Sequence, residues 1–190
     1  MIKNSKVQWI IVSLLLLVPA MIFYAIENPD SWIAYALFIE PSYNKIKFGY
    51  PMMENFRSYT SVENVSTDLK YEYGDFKGVS QTLSDGTEKP PYELYTLEVA
   101  GYVYLDHTGL LSLIFFNDRL CSLIFYPDNP DSFKDALIKE SHYELRLFKP
   151  IQVEPHIELE YDKDPAKRIF FRWEDRRLIA EQRAWIMRHS

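Results

Sequence analysis

The chain predicts an α+β fold: an N-terminal transmembrane helix followed by an antiparallel β-meander packed with two or three helices. Three observations lead there. Residues 7–26, VQWIIVSLLLLVPAMIFYAI, hold no charged side chain between Lys6 and Glu27. Past Gly74, apolar residues come in short runs broken by turn residues, as strands do. Before and after the two most apolar runs, helical spacing returns behind a capping signal.

A helix of 20 residues is about 30 Å long, the thickness of bilayer hydrocarbon. Gln8 and Ser13 are the only hydrophilic residues in 7–26, and Trp9 and Tyr24 stand near its ends, where amphipathic rings prefer the headgroup level. A cleaved signal peptide is the rival. A cut after Ala25 would put Phe23 where a small residue is needed, so the segment is expected to stay as an anchor. Lys3 and Lys6 precede it, whereas Glu27, Asp30 and Glu40 follow with no cation before Lys45. By the positive-inside rule residues 1–6 are cytoplasmic. The rest is then extracytoplasmic, on the inner (plasma) membrane, and periplasmic in a Gram-negative cell.

Residues 27–59 read as a juxtamembrane helix and linker, and 60–190 as the extracytoplasmic α+β domain. Asn28-Pro29-Asp30-Ser31 is a turn and cap for a short helix, Trp32–Ile39, stopped before Pro41. Eight residues cannot span a bilayer, and the helix is apolar all round. Trp32, Tyr35 and Phe38 are therefore candidate contacts with the bilayer interface or another membrane protein. Ser42–Tyr59, with Gly49-Tyr50-Pro51, has little periodicity and reads as an irregular linker with a short extended piece.

Thr60-Ser61-Val62-Glu63 is a capping box, a hydroxyl with Glu three residues on, and opens a helix over 61–72 with Val62, Val65 and Leu69 on one face. Strands follow at Val79–Leu83 and Tyr92–Leu105, the latter bulged around Gly101, then a turn at Asp106-His107-Thr108-Gly109. Leu110–Phe116 and Leu120–Tyr126, joined by Asn117-Asp118-Arg119, are so continuously apolar that they should be covered on both faces. A helix at 131–140, capped by Asp131 or Ser132, turns Phe133, Ala136 and Leu137 to one side. Strands are expected at 143–148, 156–161 and 168–173, with a turn at Asp162-Lys163-Asp164-Pro165. At the end, Leu178, Ile179, Gln182, Trp185 and Ile186 fit a helix capped by Asp175 better than a strand. The element order would suit a helix-plus-three-strand duplication, although no residue-level repeat accompanies it.

The part beyond the anchor is the size of one domain. Aromatic residues make up 16% of the chain against six Gly, a composition for a packed core. Cys121 is the only cysteine, which excludes an internal disulfide, and its apolar setting predicts a buried, inert thiol. The net charge of −6 is uneven: residues 27–162 carry 11 Lys/Arg against 23 Asp/Glu, and residues 163–190 carry eight against four. An acidic domain argues against nucleic acid. The basic tail is expected to dock on the acidic middle, with anionic lipid or an acidic partner as alternatives.

The chain has no phosphate loop, no G-x-S-x-G, no paired C-x-x-C and no H-E-x-x-H, and nothing in it calls for a cofactor. Glu154, His156, Glu158 and Glu160 alternate, so on one strand they share a face. Glu154, His156 and Glu158 are then candidate ligands for a divalent cation, a solvated face is the plainer reading, and Arg172, Arg176 and Arg177 are possible partners from the chain itself. Arg172, Trp173, Arg176, Arg177 and Trp185 form a candidate contact surface, since Arg and Trp concentrate at interface hot spots. The plainer alternative is an amphipathic terminal helix packed through its Trp. Asp106 and His107 are the candidate pair for hydrolysis, although no nucleophile is placed beside them by sequence.

The stretch Thr60-Ser61-Val62-Glu63-Asn64-Val65 before Leu69, with the later strand Gly109-Leu110-Leu111-Ser112-Leu113-Ile114-Phe115-Phe116, resembles the small extracytoplasmic modules of the SmpA/OmlA type. The resemblance covers 60–126. It implies helices on a three-stranded antiparallel sheet and a protein that binds other envelope proteins. Those modules belong to lipoproteins with a cysteine anchor and usually have a glycine before the helix, and this chain has neither. The expected function is a membrane-anchored binding protein, an accessory or assembly subunit of an envelope complex. An anchored inhibitor or immunity protein and a membrane-tethered hydrolase are the alternatives.

Overall fold

A computed structural model describes residues 17–24, 48–70, 77–80 and 92–189. It divides into two compact units, one of Asn44–Ile179 and one of Met1–Tyr43 with Ala180–Ser190.

The larger unit is α+β. A small hairpin, β1 (Pro51–Met53) with β2 (Phe56–Arg57), leads into helix α1 (Val62–Leu69). Strands β3 (Lys77–Ser80), β4 (Glu93–Tyr104), β5 (His107–Phe116) and β6 (Arg119–Pro127) follow, then helix α2 (Pro130–Ser141). Strands β7 (Ile151–Glu154), β8 (Ile157–Lys163) and β9 (Ile169–Asp175) complete the sheet before helix α3 (Arg176–His189). The seven strands pair antiparallel in the order β3-β4-β5-β6-β9-β8-β7. A four-stranded meander, β3 to β6, and a three-stranded one, β7 to β9, each preceded by a helix, thus meet last strand to last strand. The halves match a helix-plus-three-strand duplication only over β4–β6 and β7–β9, with β3 an extra edge strand on the first.

Alternation decides which face is apolar. Leu97, Leu113, Leu123, Trp173 and Leu159 stand opposite one another in a continuous row across five strands, and Val99, Leu111, Phe125, Phe171 and Tyr161 form the next. Val62 and Val65 of α1, Phe133 and Leu137 of α2 and Met52, Met53 and Phe56 of the small hairpin join them in one core. The Phe133 ring lies 4.7 Å from Phe171 and 5.0 Å from Phe125, centroid to centroid. The domain therefore begins before residue 60. The segment read as a linker buries Met52, Met53, Phe56 and Tyr59, and the absence of periodicity there reflects strands of three and two residues, too short to show a period.

Both meander helices lie on this one face. The other face of β5 and β6, expected to be covered too, is covered in part: Ser112, Phe116 and Ser122 are buried, whereas Leu110, Ile114 and Ile124 are half-buried. Cys121 sits in a bulge where Ile114 pairs with Ser122 and Phe115 with Leu120. Burial pushes its thiol up to about 12.

Several local expectations hold. The β4 strand is long and bulged where Gly101 takes φ +70. Asn117 and Asp118 form a two-residue turn with both φ positive, the geometry that suits twisted hairpins. This turn also clasps its surroundings: Asn117 Oδ1 accepts from the Glu93 N–H, and Asp118 Oδ1 accepts from the Val62 N–H at the start of α1.

Others are corrected. Helix α1 is capped by Ser61, whose hydroxyl accepts from the Asn64 N–H, so the box starting at Thr60 is one residue early; Thr60 Oγ1 instead donates to the Arg57 carbonyl. The helix ends at Leu69, with Lys70 in the left-handed conformation. Asn129, not Asp131 or Ser132, caps α2, with Pro130 in its first turn. The turn before β5 is Leu105-Asp106, which leaves His107 on the strand. Residues 143–148 make no strand, only a bridge between Arg146 and Lys149, while the unpredicted β7 pairs with β8.

In the smaller unit, residues 17–24 are helical and exposed throughout. The other residues of the predicted anchor, and the predicted helix with Trp32, Tyr35 and Phe38, lie outside the described residues. Among the described residues no helix is long and apolar enough to cross a membrane. Helix α3 confirms the terminal helix. Its buried side chains, Leu178, Ala180, Glu181, Ala184 and Trp185, are offset from the predicted stripe, and Ile186 is exposed.

Candidate functional site

Strand β8 sends Ile157, Leu159 and Tyr161 into the core, so Glu158, Glu160 and Asp162 point to the opposite face. The register places Glu160 opposite Arg172 and Glu158 opposite Glu174. Arg172 is ion-paired with Glu160, and its Nε lies 3.3 Å from Glu174 Oε1. Arg176 at the start of α3 reaches Glu158, Nε to Oε1, at 3.3 Å. Without these arginines Glu158 and Glu174 would stand as like charges across the ladder, which destabilises a sheet. The groups are partly exposed, so each pair contributes only about 0.2–1 kcal/mol.

One pair is different. The Asp175 carboxylate is fully buried and accepts three hydrogen bonds from Arg177: from its backbone N–H at 3.0 Å, Nε at 3.0 Å and Nη2 at 2.5 Å. The first of these is the expected Asp175 cap of α3. The guanidinium also donates to the Phe48 carbonyl and lies between two rings, 4.9 Å from the Tyr50 centroid and 4.7 Å from Tyr59. Burial alone would lower the Arg177 pKa. The Asp175 carboxylate outweighs it and raises the pKa above the usual value. This buried pair ties the 48–59 segment to the β9–α3 junction.

Only part of the candidate contact set lies at the surface: Arg176 is exposed and Arg172 partly so. Trp173 and Trp185 are buried, and Arg172, Arg176 and Arg177 are ion-paired with carboxylates. Arg172 and Arg176 bind the basic tail to acidic β8, and Arg177 binds Asp175 at the end of β9.

The candidate metal ligands are also redistributed. Glu154 ends β7, His156 lies in the β7–β8 turn with φ +70, and only Glu158 lies on β8. The turn breaks the alternation that would have put them on one face, and the His156 ring lies 5.6 Å from that of Tyr50. Among the described residues no group of His, Cys, Asp or Glu could hold a metal ion.

A different constellation is brought together by the fold. His107 opens β5, and α2 begins after the β6 strand that pairs with it. This places Ser132 Oγ 3.0 Å from His107 Nε2, while His107 Nδ1 lies 2.5 Å from the Leu105 carbonyl. With Nδ1 donating to the carbonyl, Nε2 is free to accept from the Ser132 hydroxyl. This is the arrangement of a serine beside a base whose tautomer is held. Ser132 is exposed, and the imidazole packs against Phe133 with ring centroids 5.6 Å apart. The sequence hides this pair because 25 residues separate its members.

A second polar cluster lies at the end of β4. The Tyr102 hydroxyl donates to Glu54 Oε2 at 2.8 Å, and burial together with this bond holds its phenol well above the usual range. Tyr104 is raised too, first by burial and then by Glu54 and Glu140. Tyr102 acts as a neutral donor to Glu54, and both rings pack against Phe125.

No family model matches the chain, and no curated protein matches it. The geometry above and the sequence carry the functional reading alone.

Proposed function

We propose that this chain is a single-pass membrane-anchored extracytoplasmic binding protein, an accessory or assembly subunit of an envelope complex. The observation that carries the reading is the helical stretch 17–24. Leu17, Val18, Met21, Ile22, Phe23 and Tyr24 are between 38% and 68% exposed there, although all are large and apolar. A bilayer is the surrounding that suits such a helix, and the uncharged 7–26 stretch around it has the length of a span. The acidic domain with its compact core suits recognition of basic partners, and the resemblance of 60–126 to SmpA/OmlA-type modules leads the same way.

Affinity purification of the full-length chain from mild-detergent membranes, beside a chain starting at Asn28, tests it. A partner held by the full chain and lost without the first 27 residues supports an assembly subunit. A partner kept by both favours an inhibitor or adaptor. A reporter active only outside the cytoplasm, fused after Ser190, should be active; silence would reverse the orientation.

A second reading, a membrane-tethered hydrolase, is favoured by the Ser132–His107 hydrogen bond. Labelling by a fluorophosphonate probe that is lost in both Ser132→Ala and His107→Ala would support it. Absence of labelling in the intact protein would remove this pair as its catalytic centre.

A further inference from the structure

Phe48 is the most exposed aromatic side chain among the described residues, at 72%. It is not a loose end. The Phe48 carbonyl accepts from Arg177, the Tyr50 N–H donates to Ser58 Oγ at 3.0 Å, and the Ser58 N–H donates to the Tyr50 carbonyl at 2.9 Å. Gly49 makes this close approach possible, since a Cβ there would fall 1.8 Å from the Ser58 carbonyl oxygen. The Arg57 guanidinium lies over the Phe48 ring at 5.3 Å and donates to the Gly49 carbonyl; among the described residues it meets no carboxylate. A rigid strap thus holds an aromatic ring and a cation side by side in water.

The surrounding sequence is basic in an otherwise acidic domain. In the sequence Lys47 directly precedes Phe48 and Lys45 comes two residues earlier, and no Asp or Glu occurs from 41 to 53. Only residues 27–47 separate this corner from the end of the apolar 7–26 stretch. We propose that the Phe48–Arg57 corner rests on the membrane surface and takes anionic lipid headgroups. The ring enters the boundary between headgroups and acyl chains, and the guanidinium meets lipid phosphate. The inference rests on the anchor proposed above, and commits to lipid over protein because cations flank an aromatic close in sequence to that anchor.

The test uses the full-length chain reconstituted into phosphatidylcholine vesicles, with and without phosphatidylglycerol. Phe48→Cys carries an environment-sensitive dye, and Phe148→Cys, another exposed position, is the comparison. Buried Cys121 takes no label in the unmodified chain. The expected result is a blue-shifted emission at position 48, quenched by nitroxide lipids and stronger with phosphatidylglycerol, with no such change at 148. Arg57→Glu should remove the phosphatidylglycerol dependence. A chain that resists alkaline carbonate extraction but shows no shift at 48, or equal shifts at 48 and 148, overturns the proposal and leaves the anchor standing. Extraction by carbonate ends the anchor reading and this proposal with it.

Discussion

Arg177→Met removes the guanidinium from the buried pair with Asp175 while keeping an unbranched apolar stem. Asp175 loses two of its three hydrogen bonds, those to Nε and Nη2, and stays fully buried with the single donor of the Arg177 backbone. Deleting one partner of such a pair costs about 3–5 kcal/mol, because the other charge is left without compensation. Loss of the contacts with the Tyr50 and Tyr59 rings adds on the order of 1 kcal/mol. For a chain of this size a total of about 4–6 kcal/mol lowers Tm by roughly 8–24 °C. Thermal unfolding of the full-length protein in mild detergent, followed by tryptophan fluorescence, reads it. Adding Asp175→Asn should return part of the loss, since the stranded charge disappears. A single-variant cost below about 1 kcal/mol, as for an exposed pair, would refute the reasoning, and so would a double variant no more stable than the single.

Gly49→Ala should destabilise far more than Gly101→Ala: the first drives a Cβ into the Ser58 carbonyl, while the second meets nothing within 4 Å and costs only about 1–2 kcal/mol for its positive φ. The same unfolding measurement compares them. Phe133→Ala should cost about 3–5 kcal/mol, because the ring fills the junction of Phe125, Phe171 and Tyr104. The Cys121 thiol, raised from 9.0 to about 12, keeps its proton in the folded chain while the unfolded chain loses it. Its contribution is therefore complete below pH 9 and falls between pH 9 and 12, by up to about 1.4 kcal/mol per pH unit. Cys121→Ala should flatten the stability profile in that window, and an unchanged slope would contradict the burial argument. Alkylation of the native protein at pH 8 should likewise be negligible until denaturant is added.

Where a side-chain period ran long enough, the sequence was readable. The alternation in β4 and the apolar runs of β5 and β6 show strands, the bulge at Gly101 and a turn at Asn117-Asp118-Arg119 whose last residue already belongs to β6, because strands of nine to twelve residues repeat their pattern several times. Strands of two to four residues do not. For that reason β1 and β2 show in the sequence only as a short extended piece and β7 not at all, and 143–148 imitates a strand, where Tyr143, Leu145 and Leu147 alternate but only one bridge forms. The misplaced caps show another limit. Ser61 and Thr60, or Asn129 and Asp131, can each cap a helix, and tertiary partners such as Asp118 and Arg57 decide which does. The candidate metal face failed through a single left-handed residue, His156, which the alternation of charges concealed. Docking of the basic tail on acidic β8 was legible as charge imbalance; its ladder register was not. The Ser132–His107 contact could not be read at all, since it exists only once α2 folds back across the start of β5.

The joining of the two meanders through β6 and β9 has a consequence for how the molecule is made. Ser122 and Glu174 face each other across that seam but are 52 residues apart in the chain. At about 5–20 residues per second, the first meander emerges several seconds before the strand that completes it. During that interval β6, with Leu120, Leu123 and Phe125, is an open edge able to pair with any strand it meets, including the β6 of another nascent chain. Charge is poor protection there, for Arg119 is its only charged side chain. The protein thus passes through a stage of biosynthesis in which a holding chaperone, or rapid arrival of the second half, separates assembly from aggregation.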